Sequence, residues 1–447
     1  MDGSAPEQPA PESSLGEPLF EARCKVLLSP QQTPIDALAE VRSQGLLVKP
    51  DATSSTFAAY TEAAKIEAAS YRVSLTTTGG TMIVLSQLGA NYDLLAQKLI
   101  EGWGDALARA LLMVEPKVFY EANCYLSSQQ APIQCRARIY ETALVVLPSN
   151  GMPIRFPFSE FAGMDTESYK VRVTTSSLGT IELSRLGSRT QLFAEKLTEA
   201  MKSVEAASIE TIRRMIPSAN FDELQKLGRL MIEGRAARRI EVEAISPDLW
   251  LRLEKCVELS PVADSYRYLT ELAETSLEAV GLRKSKDSVY VWFMLPLEGK
   301  GNSGGNVVAL EVTSEGGHAT YLFRVLQRGG FPNSTHDQFV KEAAVLIHDL
   351  NEAIIATGFR REPIYLSEDQ LNTPEYSKYV YASKHLEPLR LLRERFIGRV
   401  IHTNFDQWKS DFTDVLRFNV TAGDDSSRWS RSKLDFIESP RTEDSSV

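Results

Sequence analysis

The 447-residue chain is 43% hydrophobic and 24% charged, the composition of a globular protein with room for roughly two to four domains. A formal net charge of -10 sets it apart from proteins that hold nucleic acid mainly by charge, so no nucleic-acid partner is expected. Cys24, Cys124, Cys135 and Cys256 form no C-x-x-C pair, which speaks against a zinc motif or disulfide framework and for a reducing compartment.

Residues 1–17 are rich in Pro, Ser and acid, lack the basic and apolar regions of a signal peptide, and read as a disordered leader. Apolar runs such as "ALARALLMV" (106–114) fall short of the roughly 18–20 residues of a membrane span, so the expected location is cytoplasmic. An internal repeat follows. "SYRVSLTTTGGTMIVLSQLG" (70–89) and "SYKVRVTTSSLGTIELSRLG" (168–187) agree at ten of twenty positions without a gap, at an offset of 98. From Ile35/Ile133 to Glu101/Glu199 the same offset gives 22 identities in 67 pairs, against roughly 4 for unrelated sequences of ordinary composition. Upstream, "FEARC" (20–24) answers "YEANC" (120–124) with a two-residue slip. These matches define a tandem duplication, with units at 18–115 and 116–216.

Each unit reads as short strands followed by one helix. Tyr169, Val171 and Val173 alternate with Lys170 and Arg172 at strand period, and "TTGG" (77–80) and "PSNG" (148–151) mark turns. In 189–215, Leu192, Phe193, Leu197, Ala200, Met201 and Val204 form an apolar helical stripe. "ALVVLPSNGMPIRFPFSEFAGM" (143–164), a further hairpin and the "LFAEKL" helix come in the order of a pleckstrin-homology-like (PH-like) domain. The two units resemble that family, over about 45% of the chain. The resemblance implies small barrels or sandwiches, each closed by its C-terminal amphipathic helix. The family's phosphoinositide signature places a lysine on the first strand and a basic-x-Arg pair on the second. Arg136 and Arg138 match that pair, whereas "YEANCYL" has no lysine and the first copy has Leu38 and Glu40 instead.

Residues 217–287 read as helical, with Pro247 and Pro261 as breaks and Gly281 as a C-cap; Trp250, Leu253 and Val257 are core candidates. Residues 288–362 return to strands and one helix capped by Thr335, a possible divergent third PH-like unit. Residues 363–420 read as C-terminal helices and 421–447 as a disordered tail. Within 385–402, Leu386, Leu389, Leu392, Phe396, Ile397 and Val400 make one apolar stripe. Arg390, Arg393, Arg395 and Arg399 flank it as candidate contacts to anions or lipid.

"GKGNSGGN" (299–306) contains the G-x-S-x-G pattern of hydrolase nucleophiles around Ser303. No histidine precedes residue 318 and "NVVALEV" after the loop reads as a strand, so neither the protease order nor the strand–helix elbow is met. His336 and His348 lack the i, i+4 spacing of a metal pair. The α+β chain is therefore expected to have no catalytic residue, metal or cofactor. The expected function is a non-enzymatic adaptor or scaffold that binds protein partners. A peripheral membrane protein is the alternative and a serine hydrolase using Ser303 the distant one.

Overall fold

A computed structural model describes residues 18–30, 33–50, 54–111, 117–127, 131–149, 151–176, 179–285, 288–299, 305–313, 319–327, 333–421 and 428–429. The leader, Ser303, His318 and nearly all of 421–447 lie outside the described residues. Among the described residues the fold is mixed α+β with three antiparallel sheets, two of seven strands and one of six. The chain divides into two compact units, Met1–Leu197 and Thr198–Val447.

The first unit holds the first copy of the repeat and all the strands of the second. In the first copy the strands are β1 (Phe20–Leu28), β2 (Ile35–Val41), β3 (Gly45–Pro50), β4 (Thr56–Ala59), β5 (Ala63–Ala69), β6 (Arg72–Thr77) and β7 (Met82–Ser86). Helix α1 (Tyr92–Ala110) closes the copy. The strand order is β4-β3-β2-β1-β7-β6-β5. The two edge strands, β4 and β5, are consecutive in the chain and joined only by a 3-10 turn at Tyr60–Glu62. The sheet is thus bent until its edges are neighbours without pairing. Leu95, Leu99, Trp103 and Leu107, one face of α1, are buried against it.

The second copy repeats the plan with β8 (Tyr120–Ser127), β9 (Ile133–Ile139), β10 (Ala143–Pro148), β11 (Ile154–Pro157), β12 (Phe161–Glu167), β13 (Lys170–Thr175) and β14 (Gly179–Ser184), in the order β11-β10-β9-β8-β14-β13-β12. Helix α2 (Thr190–Met215) follows and runs on into the second unit. The backbones agree down to their strained positions: Ser70/Tyr71 and Ser168/Tyr169 all have positive φ, as do Gln87/Arg185 and Gly89/Gly187. A two-residue turn with both φ positive matches the twist of the hairpin it joins.

In the second unit come α3 (Phe221–Leu230), β15 (Ala237–Arg238), α4 (Arg239–Glu243), α5 (Leu249–Glu258) and α6 (Ala263–Thr270). The sheet continues with β16 (Ala279–Ser285), β17 (Ser288–Leu297), β18 (Val307–Val312) and β19 (Ala319–Arg324). Helices α7 (His336–Ala356), α8 (Glu362–Tyr365), α9 (Glu368–Leu371), α10 (Val380–His385) and α11 (Glu387–Arg395) precede β20 (Phe396–Ile401) and α12 (Phe405–Thr421). Strands β15 to β20 pair in chain order. Every residue of β18 and β19 is buried, so this sheet needs cover on both faces. Trp250, Leu253 and Val257 lie in its core with Phe293, Trp408 and Phe412. The third sheet therefore does not share the strand order of the repeats.

Two stretches differ from their helical reading. The helical period of 263–281 stops at Thr270, and Gly281 lies in β16, not at a helix end. There the indole of Trp292 packs so closely that a Cβ on Gly281 would sit 2.2 Å from its Nε1, which donates to the Gly234 carbonyl at 2.6 Å. The stripe of 385–402 is likewise cut at Arg395: "FIGRVI" becomes β20 and pairs with β19. Its β-branched and aromatic side chains suit a strand, and Gly398 lets Trp429 lie on the backbone. In α7 the Thr335 hydroxyl does accept from the Gln338 N–H, at 3.2 Å.

Candidate functional site

Strand β9 turns Cys135, Ala137 and Ile139 into the core and leaves Arg136 and Arg138 on its other face. That face is occupied by acids. Arg138 Nη1 lies 2.7 Å from Asp105 of α1, and its Nε donates to Glu121, directly opposite on β8. Arg136 reaches the same two carboxylates at 3.5 and 3.9 Å. Burial alone would lower the Arg138 pKa, but Glu121 and Asp105 hold it above the usual guanidinium range. Two guanidiniums and two carboxylates balance, and the pair ties the helix of the first copy to a strand of the second.

The four C-terminal arginines do not share one face. Arg390 bonds to Glu394 at 2.6 Å, one turn along α11. Arg393 is buried and donates to the Pro363 and Leu366 carbonyls at 2.7 and 2.9 Å and to Glu368 at 2.7 Å. Arg395 donates to the Val325 carbonyl, and Arg399, on β20, lies 4.4 Å over the Tyr365 ring. Lys384, Arg390, Arg393 and Arg428 border an open cavity of about 450 Å³ together with Glu368 and Glu394. Burial and then the charge of Arg393 push Arg428 down to about 10. Arg428 and Arg393 both cap carbonyls at the C-terminal end of α8, where cations are favoured.

Three side-chain clusters were not legible in the sequence, because each is assembled across separate elements. The fully buried Glu311 of β18 accepts from the Thr320 hydroxyl at 2.6 Å and meets His402 Nε2 at 2.6 Å. Trp408 Nε1 donates to Thr320 Oγ1 at 2.9 Å and its ring stacks on His402, 5.6 Å between centroids. A hydroxyl, an imidazole and a carboxylate meet here, but not as a triad. Both oxygens face the same ring nitrogen, whereas a triad uses one nitrogen for the nucleophile and the other for the acid. Thr320 is also fully buried, so the network fastens α12 to the sheet. In the second cluster Glu274, Glu298 and His336 each bring one possible ligand atom within 4.8 Å of the others. His336 Nδ1 is 2.5 Å from Glu298 Oε2, and that contact holds the exposed imidazole above its usual range. In the third, Cys124 and Cys135 face each other across β8 and β9 with sulfurs 3.4 Å apart. A search for C-x-x-C passes over a pair separated by a whole hairpin.

No family model matches this chain, and no curated protein does. Among solved structures, the C-terminal domain of an unknown protein from Leishmania infantum is similar at 16% identity and a TM-score of 0.20, covering 22% of this chain and 96% of that one. The Spt16D Pob3N heterodimer is similar at 13% identity and a TM-score of 0.16, covering 36% of this chain and 86% of that one. At such scores neither likeness carries an argument about this chain. Among the described residues, no helix is long and apolar enough to cross a membrane.

Proposed function

We propose that the protein is a non-enzymatic adaptor whose two repeats are PH-like units that take up extended segments of partner proteins along their free sheet edges. The observation that carries this reading is the pair of edge strands β5 and β12. Each has seven residues and no proline, is mostly exposed, and among the described residues pairs with a neighbour on one side only. A strand of that kind offers a row of backbone donors and acceptors to an added strand. The opposite edges, β4 and β11, have four residues each, and β11 ends in Pro157. Lys65 and Glu67 on β5, and Asp165 and Glu167 on β12, discourage indiscriminate edge-to-edge pairing while leaving the backbone accessible.

The test is affinity capture with the full chain as bait, comparing the wild type with an Ala68→Pro/Thr166→Pro variant and a milder Ala68→Lys/Thr166→Lys variant. Melting temperatures are recorded alongside. Partners lost with the edge variants at unchanged melting temperature support the reading. Partners retained by both variants overturn it, as does labelling of Ser303 by a fluorophosphonate probe.

A further inference from the structure

Cys124 and Cys135 are register partners on β8 and β9, both buried, with Sγ atoms 3.4 Å apart. Directly opposed residues of an antiparallel pair have Cα atoms about 4.5 or 5.5 Å apart. Both spacings lie within the window of about 4.4–6.8 Å that a disulfide requires. The sulfurs need only close from 3.4 Å to about 2.05 Å, which rotation of the two side chains supplies. The first copy has no such pair: Cys24 faces Ala37 across β1 and β2. Cys256 belongs to the second unit and donates to the backbone carbonyls of Met215 and Arg252.

We infer that Cys124 and Cys135 form an oxidisable dithiol, a modification site specific to the second copy and closed to a disulfide by a small two-electron oxidant of the peroxide class. The chemistry balances. The Cys135 thiolate attacks one oxygen of hydrogen peroxide, the O–O bond breaks, and hydroxide leaves and is protonated to water. Cys135 is then a sulfenic acid. The Cys124 sulfur attacks it, the S–O bond breaks, the S–S bond forms, and a second water leaves with the Cys124 proton. The two sulfurs together lose two electrons and the peroxide gains them.

The contact between the thiols favours a thiolate at one of them. When one ionises, the hydrogen bond from the other stabilises it; this holds Cys135 below the usual thiol range and raises Cys124. Burial is the limit on rate, since both thiols are screened from bulk solvent. A small neutral oxidant is therefore favoured over glutathione disulfide.

The test treats the folded full-length chain with hydrogen peroxide, alkylates the remaining thiols in denaturant, and maps the products by mass spectrometry. The expected result is loss of two of the four thiols, a mass lower by two hydrogens before alkylation, and one cross-linked peptide joining residues 124 and 135. Cys24→Ser leaves the yield unchanged. Cys135→Ala, which installs the residue the first copy has at this place, abolishes the cross-link while the melting temperature shows that the chain still folds. A cross-link that forms only in denaturant, or one that joins Cys24 or Cys256 in preference, overturns the inference.

Discussion

The two copies of the repeat share a backbone and differ in what they place on it. At matching positions Glu40 of the first copy stands where the second has Arg138. Glu40 is satisfied within its own copy by Arg42 at 2.5 Å and Lys49 at 2.9 Å. Arg138 is satisfied in part from outside its copy, by Asp105 of α1, and in part by Glu121 of its own copy. The first arrangement is closed and the second reaches out, so inversion of one charge turns an internal ion cluster into a connector. The interior shows compensation of another kind. In the first copy the hydroxyl of buried Tyr60 fills the space above Gly102, where a Cβ would sit 2.7 Å away. The second copy has Phe158 and Ala200 at the matching positions, with less ring and more helix. Divergence after duplication has thus proceeded in coupled pairs that leave the strand order intact.

The comparison can be broken most sharply at the connector. Arg138→Glu installs the charge of the first copy beside Asp105 and Glu121, and we expect it to destabilise the chain by about 3 kcal/mol in denaturant unfolding, because a partly buried pair becomes a like-charge cluster. Asp105→Asn in the same chain should restore part of the loss, since it removes one repelling carboxylate.

The Tyr60/Gly102 pair sharpens the comparison. Gly102→Ala alone should cost about 1 kcal/mol, overpacking of roughly 1–3 outweighing the helical gain of roughly 0.5–1. Tyr60→Phe removes a buried hydroxyl that has no hydrogen-bond partner among the described residues and should be neutral or mildly stabilising. Together they reproduce the combination of the second copy, and thermal melts should show the double variant at least as stable as the wild type. Additive losses would contradict the compensation.

Acid sensitivity should map to the closed cluster. Burial would raise Glu40, but the hydrogen bonds from Lys49 and Arg42 outweigh it and hold its carboxyl below the usual range. Its folded value lies below the unfolded one, so its contribution is present above about pH 4 and is lost as pH falls through the folded value. Glu40→Gln should therefore flatten the fall in stability below about pH 4.5, read from melting temperature against pH. The smallest effect expected is on membranes. With Arg136 and Arg138 already engaged by acids, the chain should not sediment with phosphoinositide vesicles at physiological salt, and Arg136→Ala/Arg138→Ala should change nothing there.

Much of the first unit was legible because duplication supplies its own alignment. Alternation at 169–173 locates a strand and the "TTGG" cluster a hairpin turn, whereas Tyr169, counted into that strand, lies with Ser168 in the turn before it. The connector was not legible from Arg136 and Arg138 alone, because a basic pair on a strand looks the same whether it faces lipid or a neighbouring helix. The differences between the copies held the signal: Glu40 against Arg138, and Asp105 against Ser203. In the second unit, local period misled twice. Residues 271–281 and 396–402 continue a helical apolar spacing, yet Gly281 is taken by the Trp292 indole and "FIGRVI" by an open edge of β19. In both places pairing across the sheet overrides local preference.

The central claim is that the free edges of the repeats receive the partner. Hydrogen exchange on the full chain, with and without a partner recovered by capture, tests it most directly. The account predicts slowed exchange confined to 63–69, to 161–167 or to both, since a strand added there would bond amides that face solvent in the free chain. Unchanged exchange at both edges, with protection appearing instead on the Arg136/Arg138 face or around the 384–428 cavity, would contradict it.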